Sequence, residues 1–116
     1  MADGLSLGFD TSAAHCAAAL LRGDRILGHI FEEMTKGQAE RLFPLLEGLL
    51  AGAGLTWRDL GVIGVGIGPG NFTGIRIAVA AARGLALSLG IPAVGVTATE
   101  AASLDLPRPC RIVLPL

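Results

Sequence analysis

Apolar and polar positions change their period several times along this chain, and each change predicts an element. Leu5 to Phe9 is a short apolar run that stops at Asp10-Thr11-Ser12, a polar cluster suited to a turn. Ala17 to Leu21 and Ile26 to Phe31 are two more strand-like runs, separated by Arg22-Gly23-Asp24-Arg25, where Gly-Asp is good hairpin chemistry. Together they predict an antiparallel meander. The Arg-Gly-Asp string inside it reads as a tight turn rather than an adhesion motif, because Met1-Ala2-Asp3-Gly4 shows no secretory leader pattern.

From Gln38 to about Ala53 the period becomes helical: Leu42, Leu45, Leu46, Leu49, Leu50 and Ala53 make one wide apolar stripe. Pro44 predicts that this helix starts near Phe43 or bends there, and Gly52 and Gly54 end it. Gly61 to Ile67 carries no charge and reads as a buried strand. It runs into Gly68-Pro69-Gly70-Asn71-Phe72-Thr73-Gly74 and then a long helix to Leu89, closed by Gly90. A strand over Ala93 to Val96 follows, and Thr97-Ala98-Thr99-Glu100 is a capping-box pattern that opens a third helix. Leu106-Pro107-Arg108-Pro109 is a rigid connector before a strand beginning at Arg111.

The predicted order is β-β-β-α-β-α-β-α-β. A meander followed by alternating strands and helices implies an α/β fold with a mixed sheet and parallel crossovers. This is the pattern of a ribonuclease-H-like or actin-like ATPase lobe. Residues 1–106 are expected to form that lobe. Residues 107–116 are expected to be a connector and the first strand of a second lobe that the sequence does not include.

Composition narrows the function classes. With 52% apolar and 16% charged residues over 116 positions, the chain can bury a core. Its net charge of −1 gives no basic surplus of the kind that phosphate contacts require, so any RNA is expected to be held by another component. Cys16 and Cys110 lie far apart and predict reduced thiols in a cytoplasmic protein. Ile75 to Leu89 is apolar but short and interrupted by Arg76 and Arg83, which predicts a buried helix and no membrane span.

The candidate chemistry is sparse. A strand, a Gly-rich turn and a helix N-terminus can bind phosphate through backbone N–H groups. Yet Gly68 to Gly74 has no lysine and lacks the dinucleotide spacing, so the turn itself, with Gly74 permitting close packing, is the simpler reading. Asp10-Thr11-Ser12 is equally ordinary turn chemistry. His15 and His29 fall on predicted strands as partly exposed residues and form no metal-ligand spacing. No triad context accompanies any serine. The second helix is apolar nearly all round: Ile75, Val79, Ala82, Ala86 and Leu89 form one stripe, with Gly74, Ala78, Ala81 and Gly84 elsewhere. Such a helix must be covered on more than one side, by this chain or by a partner.

The string Gly68-Pro69-Gly70-Asn71-Phe72-Thr73-Gly74-Ile75-Arg76 resembles the GPGSFTGLR signature of the TsaB/YeaZ family, with Asn71 and Ile75 as variants. Phe9-Asp10-Thr11-Ser12 and Glu40-Arg41-Leu42-Phe43-Pro44 are similar to two further family segments, in the same order and spacing. The resemblance implies the first of two actin-like lobes and a non-catalytic partner of TsaD, the paralogue that makes threonylcarbamoyladenosine in tRNA. TsaD holds its metal partly through two histidines on its first helix. Here that helix starts Gly37-Gln38-Ala39-Glu40, which implies neither a metal site nor catalysis by this lobe. Gln38-Ala39 also departs from the family's usual His-Ser.

The family further implies pairing with TsaD, or with a second copy, through the first two helices. The residues this implicates are Leu42, Leu46, Leu49, Leu50, Arg76, Val79, Ala80 and Arg83. A TsaE-type ATPase is the third expected partner, tRNA is met only indirectly, and ATP enters at the level of the complex rather than this lobe. Two alternatives belong to other classes. One is an actin-like ATP-binding phosphotransferase using Asp10, Thr11 and the Gly68–Gly74 turn. The other is a glycoprotease-like metallopeptidase, which no HExxH or nucleophile–base pair supports.

Overall fold

The computed structural model of the chain describes residues 4–70 and 72–97, and the backbone of 112 and 113. The meander forms as the pattern predicts. Strands β1 (Leu5–Asp10), β2 (His15–Arg22) and β3 (Arg25–Glu33) pair antiparallel in succession, and Gly23 turns the β2–β3 hairpin at φ 63°. A left-handed φ of this kind costs glycine nothing. Helix α1 (Gln38–Gly52) and a 3-10 turn at Trp57–Asp59 lead to β4 (Val62–Gly66), which lies parallel to β1. Helix α2 (Phe72–Leu89) returns the chain to β5 (Ala93–Val96), parallel to β4.

Ile112 and Val113 form β6, antiparallel to β5, giving one six-stranded sheet in the order β3-β2-β1-β4-β5-β6. The third helix expected beyond Thr97 lies outside the described residues. So do most of the 107–116 segment and Cys110.

Both helices pack on one face of the sheet. Side chains alternate across a strand, so β1 sends Leu5, Leu7 and Phe9 to that face. Cys16, Ala18 and Leu20 of β2 and Ile63 and Val65 of β4 join them in one buried cluster. Helix α1 contributes Leu42, Leu45, Leu46 and Leu50, all at most 2% exposed. This corrects the assignment of Leu42, Leu46 and Leu50 to a partner surface, because the chain's own sheet consumes that stripe. Leu49 is half-buried, with its Cδ1 3.1 Å from where a Cβ on Gly28 would stand. An Arg41 Nε–Glu32 Oε1 ion pair of 2.6 Å also ties α1 to β3. Its side chains are 42% and 37% exposed, which limits it to about 0.2–1 kcal/mol. The leucines therefore dominate.

Pro44 falls well inside α1, so the helix starts at Gln38 rather than near Phe43. Gly37, in the left-handed region at φ 93°, begins the turn, and the Arg41 N–H donates to its carbonyl at 3.0 Å.

Helix α2 rests on the sheet through a different stripe from the one its large side chains suggest. Gly74, Ala78 and Ala82 are its buried residues, four apart, whereas Ile75, Val79, Ala86 and Leu89 are only half-buried. Size decides the rotation: a Gly/Ala ridge lets the helix axis approach the strands, which bulky residues would prevent. By length and composition α2 could cross a membrane, with 18 residues and a mean hydropathy of 1.4. Only 17% of it is buried, which corrects the expectation of a buried helix: the Gly74-Ala78-Ala82 ridge packs on the sheet, and Arg76 and Arg83 are exposed on the outer side.

This arrangement separates two neighbouring substitutions. Ala78→Leu, which overpacks the ridge, should lower stability by about 1–3 kcal/mol. Ala80→Leu, two residues away and exposed, should stay within about 0.5 kcal/mol of the parent. Urea unfolding followed by circular dichroism measures both.

Candidate functional site

Two segments that the sequence separates by about sixty residues meet at the C-terminal ends of β1 and β4. The Thr11 hydroxyl, fully buried, donates to the Gly74 carbonyl at 2.6 Å. Three glycines make room for the contact. A Cβ on Gly74 would overlap the Thr11 carbonyl, and one on Gly70 would stand 2.5 Å from the Ser12 carbonyl. A Cβ on Gly66 would meet the Asp10 carboxylate at 2.6 Å. Backbone atoms cannot retreat as a flexible side chain can, so at 70 and 74 glycine is a steric requirement. The Gly68–Pro69 peptide between them is cis, and Gly68 has φ 95°.

The Asp10-Thr11-Ser12 turn is organised from within. The Ser12 N–H donates to Asp10 Oδ1 at 2.8 Å, the local carboxylate-to-backbone bond expected of an Asx turn. The other carboxylate oxygen, Oδ2, lies 3.6 Å from His15 Nε2 and forms an ion pair with it when the ring is protonated. His15 also stacks on Phe31 at 4.8 Å between centroids. The sequence reading placed His15 on a strand but missed this pairing, since only the β1–β2 register swings the ring back over Asp10.

Thr73 and Phe72 open α2 on the outer side of the same turn. The Arg76 guanidinium lies over the Phe72 ring at 5.1 Å, and Phe72 is 71% exposed. The site residues thus divide into two groups. Thr11, Ser12, Gly70 and Gly74 join the two turns, Asp10 is spent within its own turn and on His15, and Phe72 and Arg76 are exposed. Val79 is half-buried beside them, and Ala80 and Arg83 continue the outer face. At the start of α1, the Gln38 amide Nε2 donates to the Ala13 carbonyl at 3.4 Å. Among the described residues no three of His, Cys, Asp and Glu gather into a metal-sized cluster.

Cys16, on β2 beneath α1, is fully buried, with its sulfur 3.8 Å from both Met34 Sδ and the Gln38 carbonyl. Burial holds its thiol above the ordinary value of 9.0, Glu32 adds to the effect, and Arg41 opposes it.

Known proteins resemble this chain in sequence and fold. The family profile described as TsaD: tRNA N6-adenosine threonylcarbamoyltransferase matches residues 25–106, well over half of the chain. The tRNA threonylcarbamoyladenosine biosynthesis protein TsaB of Haemophilus influenzae is 33% identical over 111 residues, covering 92% of this chain and 46% of that protein. The solved structure of YeaZ from Pseudomonas aeruginosa superposes with a TM-score of 0.79 at 34% identity, over 90% of this chain and 50% of that one. RuvC of T. thermophilus, at TM-score 0.60 and 13% identity, covers 88% of this chain and 69% of its own, and shares the fold alone. The chain spans about half the length of the TsaB and YeaZ relatives it matches.

Two outcomes follow from this geometry. Thr11→Val keeps the shape but removes the donor, and should cost about 1 kcal/mol in urea unfolding, with Thr11→Ser restoring most of it. For Cys16 the folded state favours the protonated thiol. Stability is therefore complete below 9.0, where both states are protonated, and falls as pH rises through that value toward the higher folded one. Comparing unfolding of the parent and Cys16→Ala at pH 7 and pH 10 should show the steeper loss in the parent.

Proposed function

The chain belongs to the TsaB/YeaZ family, within the wider group that the TsaD profile describes, and from that premise we propose that it serves threonylcarbamoyladenosine biosynthesis on tRNA as a non-catalytic partner of a TsaD-type enzyme. One observation carries the partner role: the outer face of α2. Phe72, Arg76, Ala80, Arg83 and Leu87 recur at helical spacing, and Phe72 and Leu87 are 71% and 77% exposed. An exposed aromatic, two arginines and an exposed leucine in one stripe have the composition of a protein-binding surface, where arginine and aromatic residues supply most of the affinity.

The signature turn supports the same reading from the other side. Its glycines and Thr11 are engaged in packing α2 on the β1–β2 turn, and Asp10 is engaged by Ser12 and His15. Residues used this way serve the fold and need not contact a substrate. The ribonuclease-H-like fold by itself implies no activity, since it hosts many. A partner without chemistry acts by binding one conformation of the enzyme more tightly than another, which is the only route by which it can shift that equilibrium. In this reading tRNA meets the enzyme rather than this lobe, and the assembly is cytoplasmic.

The test is co-purification of this chain with the TsaD-type enzyme of the same organism. Arg76→Glu and Leu87→Glu change exposed positions and should leave the circular dichroism spectrum and Tm intact while weakening binding at least tenfold. Unchanged binding by both variants would move the contact off α2. No binding by the parent, together with ATP binding that depends on Asp10, would replace the partner role with the nucleotide-binding one.

A further inference from the structure

The sheet ends in an open edge at β3. In the strand order this strand is outermost, and β2 is its one partner among the described residues. Its outward N–H and C=O groups are therefore a template for a further strand. The two halves of β3 differ in how well they serve as one. Toward its start, Leu27 is an extra residue between those that face Leu20 and Leu21, a bulge that bends the ladder. From Gly28 to Glu33 the pairing with β2 is regular.

Alternation divides the regular half between the two faces of the sheet. Ile30 and Glu32 turn to the helix side, where Ile30 packs on the core and Glu32 pairs with Arg41. His29, Phe31 and Glu33 turn to the other side, and all three are exposed. Phe31 is 60% exposed yet supported, with the His15 ring of β2 stacked 4.8 Å from it. An aromatic ring already held in place loses little freedom when something docks on it. Read from 29 to 33, this face offers a ring N–H donor, an aromatic and a carboxylate. Read backwards it offers the complement, so the segment matches its own antiparallel copy.

We propose that the edge of β3 docks a second copy of this chain, antiparallel about a two-fold axis at Phe31, so that one sheet runs through both. Edge groups point outward at every second residue, so a two-fold pairing must be centred on a residue. Centred on His29 or Ile30, the ladder runs into Leu27 and the bulge. Centred on Glu32, it sets two carboxylates directly opposite each other, which is destabilising. Centred on Phe31, it stacks the two phenyl rings and sets each His29 opposite Glu33 of the second copy. Helix α2 packs on β1, β4 and β5 and not on this edge, so the assignment stands whether or not its outer face binds an enzyme.

Sedimentation velocity over a concentration series tests it. The contact is short and belongs with the weak interfaces below about 1,200 Å², so a dissociation constant between about 10 µM and 1 mM is expected. Glu33→Lys sets a lysine opposite His29, and His29→Glu sets a carboxylate opposite Glu33. Each should weaken the dimer by roughly tenfold or more, and the two together should restore it to within about threefold of the parent. Positions 29 and 33 are about 13 Å apart along their own strand, so no contact inside one chain can produce that rescue. Both positions are exposed, and circular dichroism checks that the variants fold. Leu87→Glu on α2 should leave the dimer unchanged. A parent still monomeric at about 1 mM, or a double variant no better than the single ones, would overturn the proposal. A dimer indifferent to both β3 changes but lost in Leu87→Glu would overturn it too, and would assign self-association to α2.

Discussion

The first turn of α2 reaches the backbone of the Asp10–Ser12 turn at a distance that position 74 permits only without a side chain. Much else follows from that approach. It sets the height of the helix above the sheet, and at that height only Gly74, Ala78 and Ala82 fit beneath it. It brings the Thr11 hydroxyl within 2.6 Å of a helical carbonyl, a bond worth about 1 kcal/mol that locks the two turns together. The hydrogen bond is the smaller term. Placing a methyl group on Gly74 against a backbone carbonyl would displace the helix itself, and with it the Phe72–Leu87 stripe on its outer side.

The two helices solve the same packing problem in opposite ways. Helix α1 stands over β2 and β3 on leucines and gains stability chiefly from buried apolar area, the term that dominates folding. Helix α2 gains less area per residue on its inner side and keeps much of its apolar surface outside. That asymmetry separates a core helix from a helix that also presents a surface, although both read as strongly apolar in sequence.

The elements were legible because their periods are clean: alternation in β1, three- and four-residue spacing in α1, and glycines at the ends. Which surface each stripe would meet was less so. Leu42, Leu46 and Leu50 entered as a candidate interface through the family resemblance, and their amphipathic spacing could not correct it, since it shows that a face is covered but not by what. The sequence left open which face of α2 is seated, because the helix is apolar nearly all round, and clearance above the sheet is decided by volume. The union of Asp10-Thr11-Ser12 with the Gly68–Gly74 turn spans 63 positions at its central hydrogen bond. No local pattern encodes such a contact. The family resemblance named both segments without saying that they touch. The His15–Asp10 approach was equally hidden, because it depends on how β2 folds back on β1.

The Gly74-Ala78-Ala82 ridge also sets how this helix can vary among related chains. Its inner positions are restricted to the smallest residues by the chain's own backbone, whatever the protein binds. Its outer positions, from Phe72 to Leu87, meet no such backbone limit among the described residues. The two sides of one helix therefore keep separate records. Drift at 76, 80, 83 and 87 with constancy at 74, 78 and 82 would mark a lineage whose lobe works alone, and constancy on both sides would mark one still tied to a companion.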